Sequence, residues 1–429
     1  MKTTGDQQLV KRINRSLLLR LVRARPGLSR ARLADESGLT KSTVSLLVRE
    51  LIDDGWLNEA DAAVADGLGR PSTPLAIHVG VHALVGVEIA VECVRVVVVS
   101  LRGEVLHADE QPSRSTEPRR VSALAARRVA AACAELQARG LKLAGIGVGL
   151  PGAVDDATGI VRFAPNLGWH NVEVLPLLRV ALAAADVPDV PLLLHNEADV
   201  AALGEFEFAG DGEGDGEDPL IFVNCDVGVG AGIVLNDRLF TGAHGMAGEI
   251  GHTVLQIDGP RCSCGRAGCA EVFIGSRALA QAGGVERGGH YLGVLLQNLW
   301  TTFNPRTIVT GGPSCVGQPE LLRIAVDAVR HYAEAAGMPA PTLRAARYGL
   351  LAPAVGGAAL VLHQHLRPLQ RRAATRPLVT DPAADPAADP AAGSAAAGLT
   401  TWPTCPFPHA APAPWPRRVS SPNQERTMT

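Results

Sequence analysis

Four residues in the second half of the 429-residue chain have the types and spacing of a metal site. His252, Cys262, Cys264 and Cys269 supply one imidazole and three thiolates within eighteen residues, a donor set that suits a closed tetrahedral Zn2+. Gly265 and Gly268 let the chain wrap tightly around an ion. The other five of the eight cysteines, Cys93, Cys133, Cys225, Cys315 and Cys405, are scattered singly, so the cluster is what needs explaining. Free thiols or a redox pair are the alternative reading of the same spacing. With four ligands and no open position, the zinc would be structural, fixing the loop that carries Glu249, His252 and Glu271.

A different chemistry is written near the N-terminus. Residues 1–60 hold eleven Lys or Arg against seven acids, about +4. Ser42, Ser45 and Arg49 fall on one face of a helix, opposite a stripe of Val44, Leu47, Val48 and Leu51, with Lys41 and Thr43 at its start. Short hydroxyls and an arginine on an exposed helix face suit phosphates and base edges in a DNA major groove. Leu46 lies on or near that face and is expected to pack on the first helix instead. Arg70, in Gly67-Leu68-Gly69-Arg70-Pro71, would sit on a loop tip able to enter a minor groove. A three-helix interaction module with a polar face, and an ordinary turn with an exposed arginine, are the plainer readings.

The elements that position these residues follow from local signals. Val10, Ile13, Leu17 and Leu21 give a first helix its apolar stripe. Ser29 to Gly38 reads as a second helix with Leu33 inward, and Thr40 caps a third that Gly55 ends. The Ser37-Gly38-Leu39-Thr40 link has the length and chemistry of a helix-turn-helix. Thr73–His78 can return as a strand, giving a wing. From Gly80 the pattern becomes strands alternating with helices: Val85–Val87, Val94–Leu101, Leu143–Leu150, Pro191–His195 and Leu220–Cys225, with helices at Val121–Gly140 and Ala198–Glu207. That is an α/β domain. Asp211–Asp218 reads as a solvated loop. Residues 371–429 contain eleven of the 30 prolines and three tandem Asp-Pro-Ala-Ala units, a composition expected to stay disordered.

Bulk composition narrows the class. Hydrophobic residues are 47% and charged residues 19%, enough for sizeable cores. Forty basic against 43 acidic residues, net −3, exclude a basic coat along the whole length. The longest apolar stretch, Val81–Leu101, is broken by His82, Glu88, Glu92 and Arg95, short of the roughly 18–20 uninterrupted residues of a membrane helix. The N-terminus lacks the apolar region of a signal peptide. A soluble, cytoplasmic protein without a membrane partner is expected.

One segment ties the halves together. Val223–Leu235, VNCDVGVGAGIVL, puts Asp226-x-Gly228-x-Gly230-x-Gly232 between two strands. It resembles the second phosphate loop of actin-like sugar kinases, although a hairpin of small residues reads equally well. The order of motifs around it is more specific. Leu150–Asp155 (LPGAVD) precedes Ala164–Trp169 (APNLGW), His195-Asn196-Glu197-Ala198-Asp199, the glycine string, Gly242–His252 (GAHGMAGEIGH), the cysteine cluster and Val309-Thr310-Gly311-Gly312. On these motifs, over roughly residues 80–366, the chain resembles the ROK family (repressors, open reading frames and sugar kinases). The resemblance implies an actin-like ATPase (ribonuclease H-like) fold of two lobes, with a sugar cleft between them, preceded by an α+β winged helix-turn-helix. It implies zinc on His252, Cys262, Cys264 and Cys269, and sugar hydroxyls on Asn196, Glu197, Glu249, His252 and Glu271. Carboxylates and a fixed imidazole suit vicinal hydroxyls through charge-assisted hydrogen bonds; surface acids near a zinc loop are the plainer reading of Glu249 and Glu271.

The departures from the kinase pattern decide the expected activity. ROK kinases open the first lobe with Asp, paired glycines, Thr and usually Lys; here the stretch is Glu88-Ile89-Ala90-Val91-Glu92-Cys93. The glycines are gone, Glu92 opposes a phosphate by charge, and the lysine position is Cys93. The kinases' catalytic Asp is Glu197, and displacement of a base by about 1 Å can cost ~100-fold in rate. Val227 replaces a phosphate-binding Thr. No catalytic residue is therefore assigned. The expected organisation is a DNA-binding domain at 1–78, a sugar-binding domain at 80–366 and a tail at 371–429. The expected function is a sugar-responsive transcriptional repressor, a homodimer or homotetramer on a near-palindromic double-stranded operator, answering to a sugar or sugar phosphate. An ATP-dependent sugar kinase with a fused DNA-binding domain is the alternative.

Overall fold

The computed structural model describes residues 7–59, 73–209, 218–243 and 245–368. The chain divides into units Met1–Ala374 and Thr375–Thr429. The Pro-rich tail at 371–429, Arg70 with its glycine loop, most of the Asp211–Asp218 run, and His244 lie outside the described residues.

Three helices open the first unit: α1 (Gln7–Ala24), α2 (Arg30–Ser37) and α3 (Lys41–Asp53). Ser29 caps α2 by accepting from the Arg32 amide, Gly38 ends it in the left-handed region, and Thr40 caps α3 by accepting from the Thr43 amide. Leu33, Val44, Leu47, Val48 and Leu51 are buried, as their spacing predicts. The first-helix stripe is different: Val10 is 48% exposed, and the buried positions are Ser16, Leu18, Leu19 and Val22. The helix packs on two sides, against α2 and α3 and against the domain that follows, so its buried face is offset from the simplest periodic one. Strands β1 (Leu57–Glu59) and β2 (Leu75–Ile77) pair antiparallel, Leu57 opposite Ile77, and form the base of a wing.

The remainder forms two lobes. In the first, β3 (His82–Ile89), β4 (Cys93–Ser100), β5 (Val105–Pro112), α4 (Pro118–Ala138), β6 (Lys142–Leu150), a small meander of β7 (Ala153–Asp155), β8 (Ile160–Ala164) and β9 (Trp169–Glu173), α5 (Val174–Ala184) and β10 (Leu192–Asn196) follow in order. Helix α6 (Glu197–Glu207) then leads to the second lobe: β11 (Leu220–Cys225), β12 (Val229–Leu235), β13 (Arg238–Leu239), α7 (Glu271–Ile274), α8 (Ser276–Leu279), α9 (Gly284–Phe303), β14 (Thr307–Gly311), α10 (Pro313–Gly317), α11 (Pro319–Ala336), β15 (Thr342–Ala345) and α12 (Ala352–Leu366). The two five-stranded sheets have equivalent orders, β5-β4-β3-β6-β10 and β13-β12-β11-β14-β15, three antiparallel strands followed by two parallel ones. Valine-rich strands make this possible, because they are buried on both faces.

Helices α6 and α12 lie between the sheets. The backbones approach closely: a Cβ on Gly147 would stand 1.9 Å from the Gly357 oxygen, and one on Gly232 would stand 2.1 Å from the Ala198 oxygen. Glycine at these positions lets α12 rest on the first sheet and α6 on the second. By length and mean apolarity Gly349–Leu366 could cross a membrane, but it is interrupted by His363-Gln364-His365 and 72% of it is buried inside the molecule. Its apolar surface is matched to the core by Ala and Gly rather than to lipid.

Candidate functional site

The cleft between the lobes is lined by the tip of β3–β4 (Glu88, Ala90, Val91), the β10–α6 junction (Asn196, Glu197), the glycine string (Asp226, Gly228, Gly230) and the loop carrying Glu249, His252 and Glu271. All five residues expected to meet sugar hydroxyls are thus brought together. Asn196 has a structural task as well. Its Oδ1 accepts from the amides of Ala198 (2.8 Å) and Asp199 (3.2 Å), capping α6, and its Nδ2 donates to the Gly152 carbonyl at 3.0 Å. The cap fixes the first turn of α6, on which Glu197 stands.

The cleft is acidic, and among the described residues no Lys or Arg lines it. Burial pushes the Glu197 carboxyl well above the ordinary range, reinforced by Glu88, Glu249 and Asp226, and its buried Oε2 has no hydrogen-bond partner among the described residues. Burial raises Glu249 to about 7, with Asp199 and Glu271 adding to the effect. Asp226 is raised for the same first reason. Carboxyl groups crowded out of water accept or share protons with hydroxyl ligands, and they oppose a phosphate.

Beside the cleft, one donor atom from each of His252, Cys262, Cys264 and Cys269 lies within 4.8 Å of the others. His252 Nδ1 is 3.6 Å from Cys262 Sγ, and Cys264 Sγ is 3.7 Å from Cys269 Sγ. Ligands at zinc–sulfur distances of about 2.3 Å in a tetrahedron stand roughly 3.8 Å apart, so the donors fit such an ion. The other imidazole nitrogen, Nε2, is 4.0 Å from Glu249 Oε2 on the cleft side. Glu271 Oε1 accepts from Ser263 Oγ at 3.3 Å within the same loop.

Sequence reasoning missed Arg95. This buried residue on β4 donates from Nη1 to Glu88 Oε2 (2.9 Å) and from Nε to Glu110 Oε2 (2.6 Å). Burial raises Glu88 to about 7 even though Arg95 pulls it down. The first-lobe tip is therefore crosslinked from within by an internal cation. The signal was available: a lone arginine in the apolar run Cys93–Ser100 demands an acidic partner.

On α3, Lys41, Ser42, Ser45 and Arg49 are exposed, while Thr43 is half-buried with its Oγ1 2.9 Å from that of Thr40. Leu46 does not pack on α1; it is 56% exposed among the polar residues of the same face, because the groove between α1 and α3 is already filled by Val44, Leu47 and Val48.

Comparison with known proteins places this geometry. Residues 84–286 match the model of the ROK family, and residues 12–58 match a winged helix-turn-helix DNA-binding model. The chain is 32% identical over 276 residues, 64% of its length and 67% of the relative's, to a protein named xylose repressor from Caldicellulosiruptor bescii. It is 27% identical over 343 residues, 74% of its length and 86% of the relative's, to a xylose repressor from Bacillus subtilis. A solved structure described as a ROK family transcriptional regulator, homolog of the E. coli MLC protein, superposes with a TM-score of 0.68 at 23% identity, covering 83% of this chain and 98% of that one. At that identity the superposition speaks for the shared fold.

Proposed function

The chain belongs to the ROK family, and from that premise we propose that it is a sugar-responsive, DNA-binding transcriptional repressor. The observation that carries this reading is the pairing of an exposed, basic, hydroxyl-rich α3 face with a sugar-type cleft whose first-lobe tip is closed by Glu88–Arg95. Lys41, Ser42, Thr43, Ser45, Arg49 and Arg70 would contact DNA. Two such heads in a dimer would meet half-sites roughly 34 Å apart on a near-palindromic operator. Asn196, Glu197, Glu249, His252 and Glu271 would hold the sugar. The protein would work in the cytoplasm, as a homodimer or homotetramer.

Zinc suits the four-donor cluster. When bound it supplies a crosslink and no reaction, since all four positions are protein ligands. His252 would then be fixed through Nδ1, leaving Nε2 to face Glu249 and a sugar hydroxyl. Cys264→Ala is expected to abolish bound zinc and weaken sugar binding at least tenfold while leaving DNA contacts in place; zinc content and sugar affinity measured together check this.

We also propose that the protein is not a kinase. Glu92 and Cys93 offer nothing to a nucleotide phosphate, and Glu197 is one methylene longer than the kinases' Asp. The retained glycine string and sugar residues favour the kinase as second reading, so both are put to one experiment. Thermal unfolding is followed with neutral pentoses and hexoses (D-xylose first), N-acetylhexosamines, their phosphates, and ATP with Mg2+. A ligand at 100 times its Kd stabilises the native state by about 2.7 kcal/mol. A shift with a sugar and none with nucleotide is expected; saturable phosphoryl transfer to a sugar would refute the regulator. Arg49→Ala is expected to weaken DNA binding by about 1–3 kcal/mol in a mobility-shift titration, the worth of a bidentate base contact.

A further inference from the structure

Helix α6 begins in the cleft and ends against the DNA-binding segment. Asn196 and Glu197 form its first turn beside the sugar position, and Glu207 forms its last. Every residue from Ala198 to Glu207 is buried. Eleven residues span roughly 16 Å, so one rigid rod connects two places that no loop joins.

Glu207 is 4% exposed and held by two arginines and a histidine. Arg23 of α1 donates from Nη1 to its Oε2 at 2.7 Å, His363 Nδ1 lies 2.5 Å from its Oε1, and Arg367 pairs with the same oxygen. Two residues earlier, Glu205 accepts from Arg344 Nη1 on β15 (2.6 Å) and from the Arg347 amide (2.7 Å), tying the same end of α6 to the second lobe. The DNA-binding segment has a separate anchorage on the first-lobe side. His82 Nε2 of β3 is 2.7 Å from the Asp54 carbonyl oxygen, and the Trp56 ring lies against His82 (5.0 Å) and His365 of α12 (4.5 Å). Between the two anchorages α6 crosses α12 backbone to backbone: a Cβ on Gly356 would stand 2.1 Å from the Val200 oxygen. At that crossing Gly356 meets the backbone of Val200 and Ala201 directly.

We propose that α6 carries the effector signal to the DNA-binding segment, and that the Arg23–Glu207 ion pair is the joint through which it acts. The inference rests on the regulator reading above. Besides the apolar core that α1 shares with α12, the segment has two polar grips, Asp54 and Trp56 on β3 and α12, and Arg23 on α6. A sugar that draws Glu197 toward the second lobe turns α6 about the Gly356 crossing, and the displacement of Glu207 shifts α1 relative to the Trp56 anchorage. Arg23 and Glu207 are positioning residues, since neither lines the cleft and neither lies on the exposed face of α3. Burial opposes ionisation of Glu207, yet the His363 hydrogen bond and charge, with Arg23 and Arg367, hold it down at about 2, so the joint stays charged.

The test uses the full chain, a duplex that the wild type selects from a random-sequence pool, and the sugar panel already described. The readout is the ratio of DNA Kd with and without sugar. The wild type is expected to give a ratio of roughly 5–150 with one sugar, the ordinary range of allosteric coupling. Arg23→Ala is expected to bring the ratio within about twofold of 1, with the sugar Kd and the sugar-free DNA Kd moving less than about threefold. Glu207 keeps His363 and Arg367 in this variant, so the fold survives. Arg23→Lys keeps a cation and should recover most of the response. An Arg23→Ala ratio equal to the wild type's overturns the joint and leaves the regulator intact. A wild type that selects no duplex, or answers to no sugar on the panel, overturns the regulator and the joint with it.

Discussion

Strands β3–β4 in the first lobe and β11–β12 in the second are equivalent hairpins, each containing the middle strand of its sheet and each with its tip in the cleft. The second-lobe tip closes over three residues, the Asp226 amide donating to the Gly228 carbonyl at 2.9 Å, with Gly228, Gly230 and Gly232 keeping the backbone bare. The first-lobe tip closes over Ala90–Cys93, the Ala90 amide donating to the Cys93 carbonyl at 2.9 Å, and it carries side chains throughout. Behind it stands the Glu88–Arg95–Glu110 chain of charges. One lobe therefore keeps an open loop and the other has replaced it with an internal crosslink. Nucleotide chemistry would need both lobes at once, whereas the hydroxyl recognition proposed above would draw mainly on the β10–α6 junction and the loop of the His252/Cys262/Cys264/Cys269 cluster, so a filled hairpin would separate the two.

The sharpest test of that contrast removes the internal cation. Arg95→Ala leaves Glu88 buried and unpaired, and loss of one member of a buried pair typically costs about 3–5 kcal/mol. At roughly 2–4 °C per kcal/mol for domains of this size, melting should fall by about 10 °C; a fall under about 2 °C would show that the crosslink holds nothing.

Titration gives the next effect. Glu88 rises from 4.5 to about 7 on folding. Between those values the native state binds more protons than the unfolded chain. This group's contribution is therefore fully present below about pH 4.5 and lost as pH rises through 7, a change on the order of 3 kcal/mol. Denaturant unfolding at pH 5 and pH 8 should show a shallower slope in Glu88→Gln than in the wild type, the remainder coming from raised groups such as Glu197 and Glu249.

On the other hairpin, Gly232→Ala drives a Cβ to 2.1 Å from the Ala198 oxygen. The α6 backbone must shift, at about 1–3 kcal/mol, with weakened sugar binding because Glu197 moves too. Smallest is Glu92→Thr at the exposed first-lobe tip, which should alter stability by no more than about 0.5 kcal/mol. It should not restore ATP binding in a fluorescent-nucleotide titration, because the Arg95 crosslink remains.

Much of this was legible in the sequence, and the parts that were not share a cause. The capped helices α2 and α3 follow from Ser29, Gly38 and Thr40. The cleft residues were found because motifs carry their own spacing, as in Gly-Glu-Ile-Gly-His and the cysteine cluster. Arg95, Glu207 and the true buried face of α1 depend on partners at separations from 7 residues, for Glu88 and Arg95, to 184, for Arg23 and Glu207. A lone arginine in an apolar strand signals that an acid must face it, but no local pattern encodes a partner as distant as Glu207 is from Arg23. Leu46 failed for a related reason: whether a groove has room for one more leucine is settled by its other occupants.

Leu18, Leu19 and Val22 belong to the same continuous buried core as Leu360, Val361 and Leu366. The reading head is thus welded to its sensor, and it is no plug-in module. A chimaera that grafts residues 1–78 onto a foreign receptor would carry an oily scar wherever the end of α12 is missing, and would clump before it could misread a promoter. Successful head-swapping among relatives should require the last turns of α12 to travel with the head, although some 280 residues separate them along the chain.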